Sequence, residues 1–328
     1  MNEPLVSIIV PTYNSADTIK TCIDSILSQT FTDFVVFIID DGSSDGTLEV
    51  LNGYQLNTRI NIMSQDNSGV SVARNNALSK VTTKYITFVD SDDYVDSKWL
   101  EVLVAGFSNS NIVLSTVGVK EIYSDGRVKL RDYFSNVYSN EEAISTLMSE
   151  NGPQGYLVNK LFLTSIIKKN KIKLDKDLFM AEDLNFVIRY IVKAKNKVAV
   201  NNSPLYNYII RNGSANGIRL TALQSNYEET FDNFMLSMSK IRASLPNSYT
   251  LTQDSCDLME GQMAINYMRA MQLMRSSDRK KWSRMRSLAK KNRALYFRTA
   301  DISVKKKLIY LLMLFSPIVV KFLDQRRS

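Results

Sequence analysis

The sequence predicts an α/β fold, with a mainly parallel central sheet flanked by helices and a helical C-terminal extension. Three observations carry this. Over the first hundred residues, short β-branched runs alternate with segments whose apolar residues recur at helical spacing, the pattern of strand–helix–strand units. Each run stops at a cluster of Pro, Gly, Asp, Asn and Ser, residues that break strands and make turns. From about residue 220 onward the strand runs cease, and the chain reads as helical and rich in Met, Lys and Arg.

In chain order, "VSIIV" (6–10) reads as a buried strand that Pro11 stops. Ile19, Cys22, Ile23, Ile26 and Leu27 then fall at i, i+3, i+4, i+7 and i+8, one face of a helix. "FVVFII" (34–39) is a second strand, ended by "DDGSSDGT", where Ser44 or Asp45 is placed to cap a short helix. "RINIM" (59–63) is a third strand, and Val70, Ala73, Ala77 and Leu78 trace the helix after it. "YITFV" (85–89) is the fourth strand, and residues 107–175 are less regular, with a hairpin around "SDGR" (124–127). Leu184, Val187, Ile188, Ile191 and Val192 form another helical face, with Glu182 and Asp183 at its N-terminus. The chain divides into a catalytic-looking body, 1–219, and a helical, basic region, 220–328.

Composition limits the chemistry. Among 328 residues there is no histidine, which excludes Ser-His-Asp hydrolysis, imidazole-bound zinc and a histidine base. Two cysteines, Cys22 and Cys256, support neither a disulfide framework nor a thiolate metal site. Proton and metal chemistry falls to carboxylates. The net charge of +8 is uneven: residues 262–328 carry 17 Lys+Arg and 3 Asp+Glu, and the remainder is net −6. The apolar run from Leu5 to Val10 is too short for a secretory signal, which predicts a cytoplasmic chain.

In such sheets ligands collect beyond the C-terminal strand ends, and all four ends are chemically loaded. They are Pro11-Thr12-Tyr13-Asn14, Asp40-Asp41-Gly42-Ser43, Asp66-Asn67-Ser68-Gly69 and Asp90-Ser91-Asp92-Asp93. No G-x-G-x-x-G or G-x-x-x-x-G-K run indicates a dinucleotide fold or a P-loop. A divalent cation bridging phosphates wants carboxylate oxygens such as those of Asp90 and Asp92. The plainer reading of those residues is a solvated turn, or a cap on the helix begun by "SKWLEVL". Arg74 breaks the apolar stripe of its helix, and a charge on a buried stripe needs a partner.

"VSIIVPTYN", "IIDDGSSDGT", "NSGVSVARNNAL", "FVDSDD" and "MAEDLNF" resemble, in order and spacing, the motifs of family 2 glycosyltransferases of the GT-A fold, over residues 5–215. The resemblance implies an inverting enzyme that transfers a sugar from a nucleotide diphosphate donor, usually a UDP-sugar, in surface polysaccharide synthesis. It implies Asp92 as ligand of Mn²⁺ or Mg²⁺, with Asp90 near the ribose and metal, Ser91 between them, and Asp93 structural. It implies Tyr13 stacking on uracil, Asp41 accepting its N3–H, and Pro11 shaping the loop. Arg74 either pairs with Asp41 or Asp90 or reaches the diphosphate, beside a helix start where free N–H groups favour anions. The resemblance makes Asp183 the base that deprotonates the acceptor, with Glu182 as its support or an acceptor contact. Lys160 and Arg211 match positions that hold acceptor or pyrophosphate, although the histidine many relatives carry in the later segment is missing.

In the tail, Trp282, Met285, Ala289 and Tyr296 line one helix face among Arg and Lys. Residues 308–323 are apolar but shorter than the roughly 20 residues a spanning helix needs. The expected partner of this region is an anionic membrane surface at the inner face of the cell membrane, bringing a lipid-linked or glycan acceptor within reach. Packing on the catalytic body, or a homo-oligomer through these helices, are the plainer outcomes. A metal-dependent nucleotidyltransferase would want a glycine- and lysine-rich loop where this chain has "PTYNSADT". A nucleic-acid binder would want basic residues on the body, which is acidic, so no nucleic-acid partner is expected.

Overall fold

The computed structural model describes residues 3–131, 133–211, 223–276 and 278–320. Its first half follows the predicted alternation: β1 (Val6–Thr12), α1 (Ile19–Leu27), β2 (Phe34–Asp40), α2 (Thr47–Asn52), β3 (Ile60–Ser64), α3 (Val70–Lys80) and β4 (Tyr85–Phe88). β1 pairs in parallel with both β2 and β4, and β2 with β3, so the C-terminal ends of these strands share one rim. β1 is wholly buried, and Ile19, Cys22, Ile23 and Ile26 of α1 are buried as their spacing requires.

Pro11 is tolerated inside a central strand for a local reason. The β1–β4 ladder ends at Ile9–Phe88, and the next bond on that side runs from Val89 N–H to the Ile9 carbonyl. By strand alternation Pro11 faces the same side, beyond the ladder's end, where its missing N–H costs no bond.

The remainder of the sheet is mixed. β5 (Tyr94–Val95), α4 (Trp99–Ala105), β6 (Ile112–Tyr123), β7 (Val128–Leu130), β8 (Asn136–Tyr138), α5 (Asn140–Met148), β9 (Lys160–Leu163), α6 (Thr164–Lys169), α7 (Glu182–Ala194) and β10 (Lys197–Ile210) follow. β9 enters antiparallel between β4 and β6, whereas β10 runs parallel to β6, giving the order β3-β2-β1-β4-β9-β6-β10-β5. The predicted hairpin joins β6 to β7, with Gly126 at φ +83°.

The C-terminal region is helical as expected: α8 (Leu223–Ser244), α9 (Thr250–Leu273), α10 (Arg279–Arg298) and α11 (Val304–Phe315). It does not stand apart from the sheet. Phe234, Met238, Ile241 and Leu245 of α8 and Cys256 of α9 belong to the same buried cluster as the sheet residues. Met285, Ala289 and Tyr296 of α10 are buried in a second cluster with Ala264, Met268 and Met271 of α9. The basic-flanked stripe of α10 therefore packs within the chain rather than facing outward. No described helix is long and apolar enough to cross a membrane.

Candidate active site

At the C-terminal rim of β1, β2 and β4 the structure opens a cleft of about 760 Å³. Of the residues singled out from sequence, Pro11, Tyr13, Asp41, Arg74, Asp90, Ser91, Asp92, Glu182, Asp183 and Arg211 line it, and Lys160 does not. Tyr13 is half exposed, which leaves its ring free to stack. Ser91 shares a hydrogen bond with Ser15 at 2.8 Å, tying the first strand end to the fourth.

Asp41 anchors the start of α3. Its Oδ1 accepts from Gln65 Nε2 (2.7 Å) and Ser68 N–H (2.9 Å), and its Oδ2 from Gly69 N–H (2.8 Å). Gly69, at φ +89° and ψ 156°, is in a region that residues with a Cβ avoid. Gly42, at φ +76°, leaves no room for a Cβ, which would come within 2.9 Å of Asn67 N. Gly42 is thus fixed by the close approach of one strand end to the next, and Gly69 by its backbone conformation alone.

Arg74 is 4% exposed and does not pair with Asp41, one of its expected partners. Its Nη2 donates to Asp90 Oδ1 at 2.7 Å and its Nη1 to Asp183 Oδ1 at 3.0 Å. One guanidinium thus couples the acidic end of β4 to the start of α7, 109 residues away from Arg74 in sequence. Asp183 also accepts from Leu157 N–H at 3.4 Å. Burial raises the pKa of the Asp183 carboxyl, Arg74 opposes this, and Asp90 adds to it. Glu182 is pushed up to about 7 by burial and by Asp183. Ala181, just before them, is held at φ +57°, ψ 27°. A left-handed alanine costs on the order of 1 kcal/mol, and here the strain aims the two carboxylates at the cleft.

The three aspartates after β4 separate by environment. Asp93 is buried and accepts from Tyr206 Oη (2.7 Å) and Ile209 N–H (2.8 Å), a structural tie between this turn and β10. Asp92 faces the cleft. Burial raises its pKa, Asp90 raises it further, and Arg211 opposes. Neither Asp90 nor Asp92 caps α4. Arg211 also donates to the Asp92 carbonyl at 3.2 Å.

Lys160 departs from expectation. It is fully buried, and its Nζ donates to the carbonyls of Gln154 (2.7 Å) and Tyr156 (2.7 Å) and to Asn159 Oδ1 (2.8 Å). With three donors matched to three acceptors it holds the 154–159 loop, not a sugar or a pyrophosphate. Burial pushes its ammonium down to about 7, against the pull of Asp183.

Sequence reasoning also missed residues that brace the site. Asn233 of α8 accepts at Oδ1 from Phe179 N–H (2.9 Å) and Met180 N–H (3.0 Å), and its Nδ2 donates to the Asp177 carbonyl (2.8 Å). Ser237 donates to the Ala181 carbonyl at 3.1 Å. These bonds fix the segment that leads into Glu182 and Asp183. A lone Asn or Ser on a long polar helix gave no signal of this.

The mixed sheet thus gathers an aromatic, paired carboxylates and an arginine from separate strand ends around one cleft. Residues 7–169 match the family described as Glycosyl transferase family 2, and the chain belongs to that family. It is 33% identical over 213 residues to the poly(ribitol-phosphate) beta-glucosyltransferase of Bacillus spizizenii, 63% of this chain but 32% of that protein, so the match spans about a third of the relative's length. It is 29% identical over 268 residues to the poly(ribitol-phosphate) beta-N-acetylglucosaminyltransferase TarP of Staphylococcus aureus, covering 75% of this chain and 78% of TarP. The crystal structure of an S. aureus TarS fragment in complex with UDP shares the fold, with a TM-score of 0.63 at 19% identity over 94% of this chain and 91% of that one.

Proposed function

We propose that this glycosyltransferase moves a sugar with inversion from a nucleotide diphosphate-sugar, a UDP-sugar, to a hydroxyl of a glycan or lipid-linked acceptor in surface polysaccharide synthesis. The observation that carries the reading is the Arg74 bridge, which brings Asp183 to the acidic strand end in the same cleft as Tyr13. The relatives named for poly(ribitol-phosphate) glycosylation support the polysaccharide context, and the UDP complex of TarS supports the donor class.

Asp183 takes the proton of the acceptor hydroxyl as its oxygen bonds to the anomeric carbon, while the bond from that carbon to the β-phosphate oxygen breaks and the nucleoside diphosphate leaves. A carboxyl whose pKa is raised by burial is a better base near neutrality than a solvated one. Tyr13 stacks on the base, and Asp41, already holding the α3 start, sits at the same end of the cleft.

Among the described residues no three His, Cys, Asp or Glu side chains gather as a metal cage. A cation bridging a diphosphate needs only one or two carboxylates, since phosphates and water supply the other ligands. Asp92, under repulsion from Asp90 that a cation would relieve, fits that role with Asp90 beside it. When bound, Mn²⁺ or Mg²⁺ there offsets the charge of the leaving diphosphate.

The outer face of α11 exposes Val304, Leu308 and Phe315 next to Lys305 and Lys306, while Tyr310, Met313 and Leu314 face inward. This favours contact with an anionic membrane surface on the cytoplasmic side.

The test is UDP release from a panel of UDP-sugars with Mn²⁺, with and without chelator. Asp183→Asn is expected to bind UDP as the wild type does and to lose transfer. Retained turnover in that variant would remove the base assignment.

A further inference from the structure

The cleft has two unlike halves. The donor half is polar and made by strand ends. The other half, beyond Glu182 and Asp183, is lined by Leu147 and Met148 of α5, Met180, Phe234 of α8, and Met259 and Met263 of α9. Met180, Met259 and Met263 are partly buried and pack against the core to which the buried Leu147, Met148 and Phe234 belong. Methionine is unbranched and polarizable, and suits a surface that must adapt to an irregular apolar ligand.

Charge points the same way. Among the described residues lining the cleft the cations are Arg74 and Arg211. Arg74 is spent on Asp90 and Asp183, and Arg211 lies against Asp92 on the donor side. The methionine half offers no cation to a polymer bearing a phosphate on every repeat. Its lip also leads to α11: Lys306 pairs at 2.6 Å with Glu150, two residues after Met148.

Resting on the transfer reaction proposed above, we infer that the acceptor is amphipathic, with a hydrocarbon segment lying on the Leu147–Met148–Met180–Phe234–Met259–Met263 wall and presenting a nearby hydroxyl to Asp183. Three of the six wall residues, Phe234, Met259 and Met263, come from the helical C-terminal region, outside the matched residues 7–169.

The probe is octyl β-D-glucoside, held below its micelle concentration, and titrated into the full chain carrying ¹³C-labelled methionine methyls, with methyl β-D-glucoside and oligomeric ribitol phosphate as comparisons. The methyls of Met148, Met180, Met259 and Met263 are expected to shift with the octyl compound and not with the other two. Each buried methylene is worth up to about fourfold in affinity, so Met259→Gln and Met263→Gln are each expected to weaken octyl glucoside binding by about tenfold and leave UDP affinity unchanged. Shifts confined to Met313 of α11, equal shifts with methyl glucoside, or stronger binding of ribitol phosphate would each overturn the inference. UDP titrated into the same sample keeps the donor reading separate, since failure of that reading appears as absent UDP binding whatever the glucosides do.

Discussion

Replacing Arg74 with Leu tests the coupling on which the site is built. The substitution removes Nη1 from 3.0 Å of Asp183 and Nη2 from 2.7 Å of Asp90. Opposite charges about 4 Å apart at an effective dielectric of about 20 interact by about 4 kcal/mol. Asp183 and Asp90 side chains are 21% and 29% exposed, so water recovers part of this. Taking about half leaves about 2 kcal/mol, or about 30-fold in kcat/KM.

The pH dependence supplies the sharper test. Burial and Asp90 already raise the Asp183 carboxyl, and Arg74 is the main influence against them. Without Arg74 that pKa rises further. Since a base acts only when ionised, the acid limb of the kcat/KM profile moves to higher pH, and the activity deficit shrinks as pH increases. Stability runs the other way. A carboxyl raised above its unfolded value loses stability as pH rises through the folded pKa, so the variant's thermal deficit is absent in acid and grows toward neutrality. UDP release against pH, paired with thermal melts of wild type, Arg74→Leu and Arg74→Lys, reads both trends. Lys keeps the charge but not the fork that reaches two carboxylates, and should fall between. A Leu variant with an unshifted acid limb would refute the coupling.

Two further predictions concern the helical region. Asn233→Ala removes three hydrogen bonds to the segment before Glu182, each worth about 1 kcal/mol; kcat should drop more than tenfold at unchanged UDP affinity, and Asn233→Asp, which keeps both acceptor bonds, should recover part of it. A wild-type kcat in the Ala variant would mean that α8 does not position the base. Val304→Glu with Leu308→Glu places charge on the exposed face of α11 without touching its buried Tyr310, Met313 and Leu314. Co-sedimentation with anionic vesicles should be lost, and undiminished sedimentation would rule out this face as the membrane contact.

The parallel half of the sheet was legible because each strand is short, β-branched and closed by turn residues, and each helix shows its stripe. The mixed half was not. β9 is four residues long, and nothing local says that Lys160–Leu163 inserts between β4 and β6 with opposite direction. Arg74 announced itself as a charge on an apolar stripe, but its partner Asp183 comes from an element whose placement depends on that insertion. Lys160 misled for a related reason. A lysine beside a motif reads as a ligand contact, whereas only the closed 154–159 loop reveals that its three donors are already matched.

The charge balance of the cleft supports the cation proposed at this rim. Asp90, Asp92, Glu182 and Asp183 face Arg74 and Arg211. Even with the Glu182 carboxyl pushed up by burial and by Asp183, carboxylates outnumber guanidiniums. A nucleoside diphosphate brings further negative charge into a partly desolvated space, where like charges repel more strongly than in water. The α3 N-terminus gives little relief, because Asp41 already occupies the N–H groups of Ser68 and Gly69. Donor affinity should therefore fall with chelator while the fold stays intact, since Arg74, Tyr206 and the Ile209 N–H hold Asp90 and Asp93 without help from a metal.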